Sequence, residues 1–170
     1  MSCSDAFVQA KENVALSQWK DRIKLSHQSF QDYSAAKSGS FDLIVSNPPY
    51  FPAHIKSQDR QRNLALHNDS LSFQDLVNGV ASLLAPNGHF WVILPERQMR
   101  DLEQLTIRKR LFPHQKVVIR NHPAAPVLRV VQAFSFLEQT PTETTFCIRD
   151  QDRNYSSDYR GLLKDFLLEF

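Results

Sequence analysis

The run Phe41-Asp42-Leu43-Ile44-Val45 ends against Ser46-Asn47 and two consecutive prolines, Pro48-Pro49. A short apolar run of this kind is the pattern of a buried parallel strand. Each proline fixes φ near about −65° and removes a backbone N–H, so the loop after the strand is stiff and cannot prolong a ladder. Helix-like and strand-like stretches alternate around this point. Ala6 to Leu16 has helical spacing, with Phe7, Ala10 and Val14 on one face; Ile23–Leu25 reads as a short strand and 29–36 as a helical turn. Phe73 to Leu84 is expected to be a helix capped by Ser72 and stopped by Pro86-Asn87-Gly88, with Leu76, Val77, Val80, Leu83 and Leu84 inward. His89–Leu94 reads as a strand, Arg97–Arg110 as a helix and Lys116–Arg120 as a strand. Then the alternation breaks. Arg129–Leu137 and Thr144–Arg149 are strand-like with no helix between them, so they are expected to pair antiparallel, before a closing helix over Arg160–Phe170.

This order predicts one α/β domain over 1–170, built on an open sheet that is mostly parallel with an antiparallel C-terminal edge. Ligands of such sheets lie beyond the carboxyl ends of the parallel strands, which directs attention to the residues after Val45 and Leu94.

Hydrophobic residues make up 42% of the 170 positions and charged residues 22%, an ordinary globular composition. No apolar run reaches the length of a membrane span and the N-terminus lacks a signal-peptide layout, so a cytoplasmic location is expected. Cys3 and Cys147 are too few for a disulfide framework, and six scattered histidines offer no metal-ligand spacing, so no metal is expected. The net charge of +2 hides an uneven distribution. Arg97, Arg100, Arg108, Lys109, Arg110, Lys116, Arg120 and Arg129 stand against Asp101 and Glu103 alone. A cationic stretch of this kind suits a polyanion such as a nucleic acid, with Arg108, Lys109 and Arg110 as candidate contacts, although solvated helix faces produce such clusters too. Arg60 and Arg62, downstream of the prolines, are further candidates for phosphate contact.

The residues after Val45 carry the chemistry. An amine conjugated to an aromatic ring is a poor nucleophile because its lone pair is delocalised. The Asn47 side-chain oxygen and the Pro48 carbonyl can each accept one of its N–H groups, which favours a pyramidal nitrogen whose lone pair faces an electrophile. Tyr50 can stack on a base turned out of its helix. Positioning and charge stabilisation would then supply most of the rate.

Asp42-Leu43-Ile44-Val45-Ser46-Asn47-Pro48-Pro49-Tyr50 resembles the Asn-Pro-Pro-Tyr signature of the class I amino-methyltransferases, a Rossmann-like fold. That resemblance implies S-adenosylmethionine as cofactor and Asn47, Pro48, Pro49 and Tyr50 as the catalytic loop. Over nearly the whole chain the sequence is similar to the bacterial methyltransferases that act on N6 of adenine 37 in a valine tRNA. Gln9-Ala10-Lys11-Glu12-Asn13, Leu94-Pro95-Glu96, Arg129-Val130 with Ala133-Phe134, and Asn154-Tyr155-Ser156 with Tyr159 carry this likeness. The resemblance implies tRNA as partner, and Ser29, Phe30 and Asn47 as cofactor contacts, although Ser29 stands where many relatives carry Asp.

The family's glycine-rich loop and the acidic residue ending its second strand have no counterpart here. The chain is therefore expected to be an N-terminally truncated domain lacking the first two strands, weak in cofactor binding, and marginally stable or oligomeric. Other functions also fit the residues: glutamine-N5 methylation of a protein, a non-catalytic RNA-binding remnant and, less well because no added recognition domain is seen, adenine methylation of DNA.

Overall fold

A computed structural model describes residues 3–36, 41–48 and 71–166. The first helix, α1 (Cys3–Leu16), has Asp5 in its first turn, where a carboxylate complements the helix dipole. Most of its surface is exposed, and the Phe7 ring stacks on His27 at 4.5 Å between centroids. Ile23–Leu25, expected as a strand, forms none. A strand exists only as a member of a ladder, and among the described residues these three join no ladder. Ile23 and Leu25 each remain 40% exposed.

The second helix, α2 (Phe30–Ala36), replaces the expected helical turn. Ser29 caps it: the Asp32 N–H donates to Ser29 Oγ at 3.0 Å, and the hydroxyl donates to Asp32 Oδ2 at 2.7 Å. Strand β1 (Phe41–Ser46) contains the apolar run expected as a buried parallel strand. It does pair parallel with the next strand, but it stands at the edge of the described sheet and none of its residues is fully buried. Helix α3 (Phe73–Leu83) is capped by Ser72 as expected and buries Leu76, Val77, Val80 and Leu83.

The Pro86-Asn87-Gly88 triplet does not stop that helix, which is already over at Leu83. Strand β2 (Leu84–Leu94) begins at once and takes the triplet within it. Its parallel register with β1 jumps from Phe41↔Leu84 to Leu43↔His89, so the added residues form a bulge. Proline cannot donate to a ladder and is accommodated in such irregularities. Glycine is required beside it, since a Cβ on Gly88 would lie 2.8 Å from the Phe41 carbonyl oxygen.

Helix α4 (Glu96–Arg108) then runs back along the sheet to strand β3 (Phe112–Arg120). Strands β4 (Val127–Ser135) and β5 (Thr142–Cys147) follow, and helix α5 (Ser157–Leu163) is the last described element. Residues 167–170 of the expected closing helix lie outside the described residues.

The five strands lie in the order β1-β2-β4-β3-β5. The runs expected to pair with each other are therefore not neighbours. Strand β4 sits antiparallel between β2 and β3, and β5 pairs parallel with β3. The connection from β3 to β4 is a short turn that reverses the chain. The reversed strand thus lies inside the sheet, and β1, β2, β3 and β5 all point the same way. Phe90, Val92 and Leu94 of β2 meet Val130 and Phe134 of β4 beneath Leu76, Val77 and Val80 of α3 and Met99 and Leu102 of α4, forming the core. On the opposite face of β1, Leu43 and Val45 remain 57% and 70% exposed. They sit beside His89 and Trp91 in the ladder.

Candidate active site at the carboxyl edge of the sheet

Because four strands share one direction, their carboxyl ends line a single edge. Ser46-Asn47-Pro48, Leu94-Pro95, Arg120-Asn121 and Cys147-Ile148 all lie on it. Ser46 stands beside Val92 in the β1–β2 ladder, so the chain leaves the sheet at Asn47 from a fixed point. Asn47 is exposed, while Pro48 is buried. A buried ring behind an exposed amide holds the backbone and leaves the side chain facing solvent, which suits a group that receives a ligand. One strand over, Pro95 in extended geometry opens α4, its carbonyl accepting the Met99 N–H at 3.0 Å.

The remaining expected site residues fall in three places. Pro49, Tyr50, Arg60 and Arg62 lie outside the described residues. Ser29 and Phe30 open α2, where the Ser29 hydroxyl is engaged with Asp32 and the half-buried Phe30 ring packs on the core beside Gly79. Arg108, Lys109 and Arg110 are exposed at the end of α4 and just before β3, at the amino ends of the strands. The structure does not bring them together with Asn47. There the cations complement the negative end of the α4 dipole, and Arg110 turns the chain with φ 59°.

Four residues that the sequence reading passed over do lie on the carboxyl edge. Asn121, His122, Arg149 and Arg153 line an open cavity of about 430 Å³ beyond β3 and β5. The Asn154-Tyr155-Ser156 group beside it has a structural explanation. Ser156 Oγ donates to the Cys147 carbonyl at 2.6 Å and accepts the Tyr159 N–H at 3.1 Å, thereby capping α5. Tyr155 stacks on Tyr159 at 5.2 Å.

His114 is set apart from all of this, near the start of β3. Its pKa is held below the ordinary 6.5 by burial and, secondarily, by His89, whose Nδ1 lies 3.0 Å from His114 Nε2. Among the described residues no three His, Cys, Asp or Glu side chains gather as metal ligands, and no helix is long and apolar enough to cross a membrane.

Residues 4–119 match the family of Eco57I restriction-modification methylases. The chain belongs to this methylase family. It is 36% identical to a tRNA1(Val) (adenine(37)-N6)-methyltransferase of Bacteroides fragilis, across 95% of this chain and 68% of that protein. The same-named enzyme of Pseudoalteromonas translucida is 33% identical, across 97% of this chain and 70% of its own length. Among solved structures, a predicted O-methyltransferase from Agrobacterium tumefaciens superposes with a TM-score of 0.55 at 10% identity, covering 84% of this chain and 58% of the other. The five-stranded open sheet is accordingly that of the class I methyltransferase fold, the fold class expected from the sequence.

Proposed function

We propose that this methylase transfers a methyl group from S-adenosylmethionine to the exocyclic N6 amine of adenine in tRNA, with adenine 37 of a valine tRNA as its target. The observation that carries the reading is the exposed Asn47 set on a buried Pro48 at the carboxyl end of β1. The names of the relatives, which share a third or more of the residues over nearly the whole chain, support the choice of substrate.

In this mechanism the Asn47 side-chain oxygen and the Pro48 carbonyl each accept one N–H of the adenine amine and turn its lone pair away from the ring. Tyr50 stacks on the base, and Arg60 and Arg62 meet the substrate's phosphates. Bound S-adenosylmethionine supplies an electrophilic methyl group on its sulfonium. Asn47, Ser29 and Phe30 would hold the cofactor, Phe30 through the part of its ring that the core leaves uncovered. The Asn47 amide does not need to remove a proton, because the amine can release one to water after the transfer. Its contribution is orientation of the nitrogen and stabilisation of the charge that develops there. The cations Arg108, Lys109 and Arg110, at the far end of the strands, attract RNA at long range and do not position the base.

The test is methylation of an unmodified tRNA transcript by the full chain and by Asn47→Ala. Loss of a preorganised hydrogen-bonding group at the reacting atom should lower kcat by about 10²–10³ with little change in tRNA affinity. Near-wild-type turnover by Asn47→Ala would discard the mechanism. Methylation of protein glutamine in place of RNA would discard the substrate.

A further inference from the structure

We propose that the cavity lined by Asn121, His122, Arg149 and Arg153 is a phosphate-binding subsite that holds the backbone of the RNA substrate beside the target base. This rests on the RNA reading above and adds to it the place where the strand is gripped.

The subsite is built by strand pairing. The β3–β5 ladder continues past its last residues, with the Ile148 N–H donating to the Arg120 carbonyl at 3.0 Å and the Arg149 N–H to the Asn121 carbonyl at 2.8 Å. Arg149 and Asn121 are thereby locked side by side. A tight turn follows. The Asp150 N–H donates to the Asn154 carbonyl at 2.9 Å, the Asn154 N–H to Asp150 Oδ1 at 2.9 Å, and Arg153 takes the left-handed conformation at φ 64°. Arginine at a positive φ is uncommon, because its Cβ crowds the backbone. Here it brings Arg153 back over the same cavity as Arg149.

The guanidinium of Arg149 is held before any ligand arrives. It lies 4.4 Å from the centre of the Tyr155 ring, and one nitrogen donates to the Arg153 carbonyl at 2.7 Å. A guanidinium has five N–H donors in a planar fork, so most of the fork is left for an anion. His122 adds a donor. Its Nδ1 accepts the Ala124 N–H at 3.3 Å, which puts the proton of the neutral ring on Nε2. The turn also carries Asp150 and Asp152, but the Asp150 carboxylate is engaged with Asn154 and neither residue lines the cavity. At about 430 Å³ the space falls in the range of small-ligand sites, about 300–1,000 Å³.

Position selects RNA over a free anion. The cavity lies on the same carboxyl edge as Asn47, separated by the steps from β1 to β2, β4 and β3. At about 4.8 Å per step that is about 14 Å, a span that a few nucleotides of extended strand can bridge. A nucleotide whose base is turned into a site at Asn47 needs its neighbours restrained, and two arginines, one fixed by an aromatic face, supply that restraint.

The experiment measures tRNA affinity against salt for the full chain, for Arg149→Gln, and for Arg153→Asn. The second variant protects the test from a folding defect, since asparagine tolerates the left-handed conformation and keeps the turn. Each is expected to weaken tRNA binding about tenfold. Each should also reduce the slope of log affinity against log salt by about one, and raise KM for tRNA at unchanged kcat. If the full chain methylates tRNA and both variants bind it with wild-type affinity and slope, the subsite is wrong and the RNA reading stands. If the full chain neither binds nor methylates tRNA, both fall together.

Discussion

Gly79 lies inside α3 with Phe30 of α2 where a side chain would be. A Cβ added there would stand 2.4 Å from Phe30 Cε1, 2.9 Å from Phe30 Cζ and 3.0 Å from Ser34 Cβ. Carbon atoms pack at about 3.5–4.0 Å, so Gly79→Ala forces the Phe30 ring to move by about an ångström. Two effects oppose each other. Replacing a mid-helix glycine by alanine gains about 0.5–1 kcal/mol, whereas overpacking a filled contact costs about 1–3 kcal/mol. At the middle of both ranges the balance is a net loss of about 1 kcal/mol. With Phe30→Ala already in place the ring is gone and only the Ser34 contact must give by a few tenths of an ångström. Gly79→Ala should then stabilise the chain by about 0.5–1 kcal/mol. The sign of one substitution thus reverses with the identity of the other residue, a coupling of about 2 kcal/mol. Urea unfolding of the four chains in this cycle measures it directly. Because the proposed function has Phe30 hold the cofactor, Gly79→Ala should also raise KM for S-adenosylmethionine more than it changes kcat. Additivity of the two substitutions within about 0.5 kcal/mol would show that the ring does not rest on Gly79.

Three further expectations concern other parts of the molecule. His114 has a folded pKa below 6.5, so the unfolded chain binds a proton that the native one resists. Stability should fall as pH drops through about 6.5 and be recovered above it, and His114→Gln should flatten that part of the profile of urea midpoint against pH. On β1, the exposed Leu43 and Val45 form an apolar row that invites association of the 170-residue chain with itself; Val45→Lys should move its size-exclusion peak toward the monomer, and an unmoved peak rejects the idea. Reversing Arg108, Lys109 and Arg110 to Glu should slow tRNA association at low salt, seen by stopped flow, while kcat stays the same; a loss in kcat would mean that the far edge takes part in positioning.

The parts of the fold that the sequence made legible are those fixed by local chemistry. Ser72 ahead of an apolar helical stripe marked the start of α3, and the apolar run closed by Pro48-Pro49 marked β1 and its carboxyl end, where Asn47 stands. The end of α3 was misread because Pro86-Asn87-Gly88 looks like a stop signal. Nothing local tells a turn from a bulge whose extra residues stay within the strand, and only the register with Phe41 decides it. Ile23–Leu25 failed in the same way, since β-branched and aliphatic residues describe a strand's composition but not the neighbour it needs.

The cationic residues make the same distinction with consequences for function. Arg108-Lys109-Arg110 is conspicuous because the three are contiguous, and contiguity is visible in a sequence. Helix α4, which ends at Arg108, runs from the carboxyl edge back to the amino edge, so topology takes all three away from Asn47. Arg149 and Arg153 lie in a segment that is net acidic and far from Asn121 and His122 along the chain, and they are united only by the parallel pairing of β5 with β3. Reading β5 as the antiparallel partner of β4 removes that pairing and scatters the cavity. A charge cluster made by strand order is therefore invisible until the order is known, whereas one made by sequence can be placed on the wrong edge. For a sheet enzyme whose ligands meet the carboxyl ends of its strands, the edge on which a charge lies decides its role more than the number of charges beside it.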